Sequence, residues 1–318
     1  MKNLRIVFMG TPEFAQYALQ QIVEAGGNVV AVVTVPDKPA GRGQQVHQSA
    51  VKQYAIEHNL PVLQPEKLRD EHFLNELKSF NADVFVVVAF RMLPEVVWNM
   101  PPKGTFNLHA SILPQYRGAA PINHAIINGE TESGVTTFFL SHEIDTGNII
   151  LQQTVPITPD DNAGTLHDKL MIAGAKLILQ TLDNIEQGNV ETKPQPDLNT
   201  LRPAPKIFKE DCRIDWTKDS CSIHNFIRGL SPYPCAFTEL ITAKGEHKTL
   251  KVFSASVVNT QKGDLSCGSI RTDNKSYLHV CTADGMLSLD EIQLMGKKRM
   301  GITDFLRGFK FEENCSVF

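Results

Sequence analysis

No run of about eighteen apolar residues occurs in this chain, so neither a membrane-spanning helix nor a membrane partner is expected. The first ten residues have a charged start but too short an apolar stretch for a signal peptide, and read as a first buried strand. No C-x-x-C pair occurs either. The six cysteines, Cys212, Cys221, Cys235, Cys267, Cys281 and Cys315, all fall in the last third. That spacing offers no metal site, and a chain this long can bury a core without a disulfide framework. Reduced thiols in a cytoplasmic protein are the expectation. The loop Met9–Phe14 lacks G-x-G-x-x-G, and Glu13 would repel a phosphate at the following helix N-terminus. A tight strand-to-helix turn with a proline at its first helical position accounts for it. No G-x-S-x-G elbow is present, which disfavours covalent catalysis through a serine.

What is there is an ordinary folded composition, 42% apolar and 21% charged, over a length of 318 residues that points to two domains. Residues 1–205 carry 15 Lys/Arg against 21 Asp/Glu; residues 206–318 carry 16 against 14. The mildly basic second part is weak evidence for a polyanionic partner, and a mixed solvated surface explains it equally well.

Short apolar strands alternate with helical patterns through the first two thirds. Strands are predicted at Leu4–Met9, Val29–Thr34, Pro61–Leu63, Asp83–Ala89, Thr105–Leu108 and Val135–Leu140, and helices around Phe14–Ala25, Ser49–His58 and Glu71–Ser79. Continuous apolar strands separated by helices argue for a parallel sheet covered on both faces, a Rossmann-like, doubly wound α/β domain over 1–189. Prolines 194, 196, 203 and 205 mark 190–205 as an extended linker. Beyond it, a helix near Ser220–Leu230 and short strands at roughly ten-residue spacing predict a small OB-like β-barrel over 206–318.

Two segments carry chemistry. Asn107 and His109 sit at the end of one predicted strand, in Asn107-Leu108-His109-Ala110-Ser111-Ile112-Leu113-Pro114, and Asp145 follows the next in Asp145-Thr146-Gly147. In open α/β sheets ligands bind beyond the carboxyl ends of strands, so both segments are expected at one rim. An amide can stabilise an oxyanion, an imidazole can move a proton near neutral pH, and a carboxylate can orient the imidazole. No third ligand with convincing spacing completes a zinc site, and no metal is expected. Direct transfer between two bound substrates fits best. The polar loop Pro36–Gly43, with Lys38 and Arg42, reads equally as a surface loop or as an arm for an anionic partner.

The segment Asn107–Pro114 followed by Arg117-Gly118-Ala119-Ala120-Pro121-Ile122 resembles the signature of 10-formyltetrahydrofolate-dependent formyltransferases, and Asp145-Thr146-Gly147-Asn148-Ile149 resembles their second one. Phe8–Phe14, Pro36–Gly43, Ala204-Pro205-Lys206, Arg213-Ile214-Asp215-Trp216, Ile227-Arg228-Gly229 and Gln293–Lys298 resemble the branch of that family acting on methionyl-tRNA. The resemblance covers nearly the whole chain.

It implies formyl transfer from 10-formyltetrahydrofolate, the co-substrate, to the α-amino group of methionine on initiator methionyl-tRNA, for translation initiation, with no obligate protein partner. By this resemblance Asn107, His109 and Asp145 are catalytic. Ser111, Ile112, Leu113, Pro114, Phe90, Met92 and Leu93 line the folate site. Lys38, Arg42, Lys206, Lys297 and Lys298 meet the tRNA. Two positions depart from the family pattern: Arg91 stands where a small residue is common, and Cys235 replaces a frequent glycine.

Overall fold

The computed structural model describes residues 2–40, 45–196, 200–258, 262–312 and 315–318. Two compact units divide the chain: Met1–Gly118, Ser133–Pro156 and His167–Ala204 form one; Ala119–Glu132, Ile157–Leu166 and Pro205–Phe318 form the other.

The strands through residue 156 are β1 (Arg5–Gly10), β2 (Asn28–Val33), β3 (Lys38–Ala40), β4 (Gln45–His47), β5 (Val62–Leu63), β6 (Val84–Val88), β7 (Thr105–His109), β8 (Glu132–Phe139) and β9 (Ile149–Pro156). Helices α1 (Glu13–Glu24), α2 (Ala50–Glu57), α3 (Glu71–Ser79), α4 (Glu95–Trp98), α5 (Pro121–Ile127) and α6 (Ala163–Gln187) lie between and after them. The main sheet runs β5-β2-β1-β6-β7-β8-β9, while β3 and β4 form a separate hairpin. β6 is buried at all five positions, as a strand covered on both faces must be. Helix α1 buries Phe14, Ala15, Ala18, Leu19 and Ile22, one stripe at helical spacing. Gly10 lets β1 pass beneath that helix, because a Cβ there would lie 2.6 Å from the Ala15 Cβ. Pro12 is the N-cap of α1, one position earlier than its sequence context suggests.

Within the main sheet β5, β2, β1, β6 and β7 pair in parallel, and β8 does not. It runs antiparallel to β7, with Thr136 opposite His109 and Phe139 opposite Phe106. The expectation that this strand delivers Asp145 directly to the rim of β7 is therefore corrected: β8 ends beside the start of β7. The loop after Phe139 has to fold back to bring Asp145 to His109.

In the second unit, helix α7 (Ser220–Leu230) and α8 (Ile302–Gly308) accompany β10 (Ala236–Ile241), β11 (His247–Val258), β12 (Ile270–Thr272), β13 (Leu278–Cys281), β14 (Met286–Leu294), β15 (Met300–Gly301) and β16 (Ser316–Val317). The strand order is β12-β13-β14-β11-β10-β16, with β15 on β14. A Ser269–Ser316 bridge and the Val317 N–H to Gly268 carbonyl bond join the two ends, which closes the sheet into a barrel. Trp216 fills the core and donates its indole N–H to Thr238 at 2.9 Å. Gly229 is a close-packing residue: a Cβ there would lie 2.6 Å from Ile127 of α5. Among the described residues, no helix is long and apolar enough to cross a membrane.

Candidate active site

Alternation along β7 sends Phe106 and Leu108 to one face, where they are buried, and Thr105, Asn107 and His109 to the other. Asn107 is half-buried, and its side-chain amide has no hydrogen-bond partner among the described residues. His109 is buried and held from two sides. Its Nε2 lies 2.8 Å from the carbonyl oxygen of Tyr116. A carbonyl only accepts, so Nε2 carries the hydrogen and Nδ1 is the nitrogen left to exchange protons. Nδ1 faces Asp145 Oδ2 at 3.7 Å, beyond direct hydrogen-bond length.

The carboxylate is placed by backbone rather than by another side chain. Gly118 N–H donates to Asp145 Oδ2 at 3.0 Å. Asp145 (φ 55°) and Tyr116 (φ 61°) both hold left-handed backbone, uncommon for residues with a Cβ. Gly118, at φ 124°, approaches so closely that an added Cβ would stand 2.5 Å from the Ala204 carbonyl oxygen. Segments 115–118 and 145–147 thus meet beside the imidazole, and residues 193–196 and 202–204 bond to them.

Ser111 and Leu113 are buried, and their contacts are internal. The Ser111 hydroxyl donates to the Gln115 carbonyl at 2.6 Å, and Leu113 joins a small core with Phe138 and Ile149. Ile112 and Pro114 stay half-buried. On the other rim Phe90 is half-buried, Met92 is 75% exposed, and Leu93 is buried in the sheet core. Arg91 stacks its guanidinium 5.6 Å from the Phe90 ring centroid and donates to the Pro65 and Glu66 carbonyls. Its charge is thereby spent on the 65–66 backbone, and burial holds the guanidinium below its ordinary pKa. A surface cavity of about 510 Å³ runs along Phe139–Glu143 and Thr146–Asn148, the loop that carries Asp145.

Of the basic residues, Lys38 is exposed on β3, and Arg42 lies outside the described residues. At the root of that hairpin, Lys52 and Gln64 hydrogen-bond Asp37 and hold its carboxyl below the ordinary range. In the barrel unit, Lys206, Lys297 and Lys298 are exposed and make no ion pair among the described residues. Arg299 instead pairs with Glu291 and covers the Phe253 ring at 4.2 Å.

Sequence reasoning brought Asn107, His109 and Asp145 together but missed Tyr116, Gln195 and the 139–148 cavity. A main-chain carbonyl has no residue-type signature, so Tyr116 was invisible. Gln195 sat in a segment that composition alone marks as a tether.

A family model described as "Formyl transferase" matches residues 4–182, and one described as "Formyl transferase, C-terminal domain" matches 206–310. The chain is 58% identical over 314 residues to the methionyl-tRNA formyltransferase of Parabacteroides distasonis, covering 97% of each protein. It is 56% identical over 319 residues to that of Bacteroides thetaiotaomicron, covering 99% of each. Among solved structures, the N-formyltransferase from Helicobacter canadensis in complex with folinic acid and dTDP-3-aminofucose superposes with a TM-score of 0.61 at 22% identity, covering 90% of this chain and 98% of that one. HypX from Aquifex aeolicus, in complex with tetrahydrofolic acid, does so at 0.63 and 20%, covering 97% of this chain and 48% of that one.

Proposed function

The chain belongs to the formyl transferase family, and from that premise we propose that it formylates the α-amino group of methionine on initiator methionyl-tRNA, with 10-formyltetrahydrofolate as donor. One observation carries the chemistry: Asn107 and His109 share a face of β7, and Asp145 stands 3.7 Å from the free nitrogen of the imidazole.

The donor supplies an activated formyl carbon whose departing nitrogen, N10, needs a proton. His109 takes the proton from the attacking amine at Nδ1 and returns it to N10, while one C–N bond forms and the other breaks. Nε2 is committed to Tyr116, so the ring does not have to turn over between the two transfers. Asn107, with no hydrogen-bond partner to leave among the described residues, donates its amide to the tetrahedral oxyanion. Such a donor lowers a barrier by about 3–4 kcal/mol. Asp145 keeps the imidazole oriented and stabilises its charged form in passing.

The residues around the trio fit a flat heterocycle with polar edges. The 139–148 cavity offers main-chain groups together with Leu140 and His142, and by the sequence resemblance exposed Met92 and half-buried Phe90, Ile112 and Pro114 would supply apolar surface to the folate. Ser111 and Leu113 shape this wall from within through Thr136 and Gln152. Lys206, Lys297 and Lys298, each without an ion-pair partner among the described residues, are the groups for tRNA phosphates, together with exposed Lys38 of β3 and with Arg42, outside the described residues, as a further candidate by the sequence resemblance. A translation enzyme of this kind works in the cytoplasm.

The test offers charged initiator tRNA, charged elongator tRNA and a nucleotide-linked amino sugar side by side with 10-formyltetrahydrofolate. Rapid formylation of the initiator alone is the expected result. Equal use of both tRNAs removes the initiator preference, and preference for the sugar overturns the acceptor class.

A further inference from the structure

Pro194 and Pro196 flank Gln195 and hold this stretch extended. The segment is stitched to both catalytic loops. Lys193 and Ile149 exchange backbone hydrogen bonds at 2.9 and 2.8 Å, Tyr116 N–H donates to the Arg202 carbonyl at 2.8 Å, and Ala204 N–H donates to the Arg117 carbonyl at 2.8 Å. Gln195 lies between these anchor points. Its Oε1 accepts from Arg117 Nε at 3.0 Å and Nη2 at 2.6 Å. Its Nε2 donates to the Asp145 carbonyl at 2.9 Å and the Gly147 carbonyl at 2.8 Å. One side chain therefore makes all four hydrogen bonds that a carboxamide can make.

The arrangement has only one sense. A guanidinium has no acceptor and a carbonyl has no donor, so the amide oxygen must face Arg117 and the nitrogen must face the loop. The loop needs such a tie for two reasons. β8 delivers it to the far end of β7, and Asp145 sits in left-handed backbone, which residues with a Cβ adopt uncommonly even though Asp tolerates it better than most. Arg117 adjoins Tyr116 and Gly118, whose carbonyl and amide hold His109 and Asp145 respectively. Gln195 thus links the loop that holds the imidazole to the loop that holds the carboxylate.

We propose that Gln195 is a positioning residue for formyl transfer, setting the distance between Asp145 and His109 by clamping the Asp145–Gly147 backbone to Arg117. This rests on the catalytic reading of Asp145 given above. A loop staple with no catalytic consequence is the competing account, and it predicts a change in stability alone.

The test is a double-mutant cycle in the full-length enzyme. Gln195→Met removes all four bonds. Gln195→Glu keeps an acceptor for Arg117 but cannot donate to either carbonyl. Both should lower kcat about tenfold, the scale of a misplaced catalytic group, with KM for donor and tRNA within about twofold of wild type. Single-turnover rates are then compared in an Asp145→Asn background. There Gln195→Met should cost less than about twofold more, because the group it positions is already gone. A tenfold further loss in that background, a loss confined to KM, or wild-type kcat in both Gln195 variants would overturn the proposal. Wild-type turnover by Asp145→Asn itself would instead sink the catalytic role of Asp145, and this inference with it.

Discussion

His109 gives one ring nitrogen to the carbonyl of Tyr116, 2.8 Å away, and so has one nitrogen left for chemistry. This bond selects the tautomer and the ring orientation before any substrate arrives. It also explains why a bulky residue holds φ 61° at position 116: that backbone turns its carbonyl toward the imidazole.

Replacing His109 with alanine should lower kcat about 10²–10⁴-fold, the range of a lost general acid–base group, with smaller changes in KM. Steady-state kinetics on protein shown to be folded by circular dichroism checks this. A folded His109→Ala enzyme working at the wild-type rate would remove the proton-transfer role.

Asn107→Ala should cost about 10²–10³ in kcat and leave donor affinity nearly unchanged, because the oxyanion exists only along the reaction path. Equilibrium binding of a non-transferable folate alongside turnover separates the two effects. Equal losses in both would show that Asn107 serves ground-state binding.

Gly118→Ala forces a Cβ to within 2.5 Å of the Ala204 carbonyl oxygen, at a φ that L residues rarely adopt. A destabilisation of about 1–3 kcal/mol is expected in urea unfolding. Turnover should fall further than stability accounts for, since the displaced amide is the donor to Asp145. Full activity in the folded variant would contradict this placement.

Cys235 holds φ 77°, where a glycine would be unstrained, and burial pushes its thiol up from 9.0 to about 11. The unfolded chain releases this proton first, so between pH 9 and 11 the folded state binds more protons. Stability must therefore fall as pH rises through that window. Unfolding free energies of wild type and Cys235→Ala across pH 8–11 should show a steeper alkaline decline in wild type. Parallel curves would mean that the thiol ionises alike in both states.

Affinity for methionyl-tRNA should fall with salt. Lys297→Ala or Lys298→Ala should lower the slope of log affinity against log salt by roughly 0.7–0.9 for each phosphate no longer neutralised. A slope equal to wild type in both variants would take these lysines out of the interface.

Much of the fold was legible because local pattern and tertiary role agreed. The apolar run Val84–Val88 reads as a doubly covered strand, and the short strands after residue 236, broken by Lys-Gly and Asp-Gly turns, read as a small closed sheet. The 25-residue α6 went unassigned, although its ends are marked. Asn162 and Thr165 cap it reciprocally, and Gly188 at φ 71° follows its last turn. Residue type also singled out Asn107, His109 and Asp145 as candidates, because few side chains can stabilise an oxyanion or carry a proton at neutral pH, and the fold brings His109 and Asp145 within 3.7 Å.

The sequence by itself determined which groups are the candidates for the chemistry and which strand presents two of them, since a two-residue spacing on any strand puts both on one face. Only the tertiary structure decided how the third arrives. β8 runs the opposite way, and Asp145 reaches His109 through a folded-back loop tied by Gly118 and Gln195. Strand direction depends on long-range pairing, and main-chain carbonyls and amides carry no residue code, so neither can be read from local sequence.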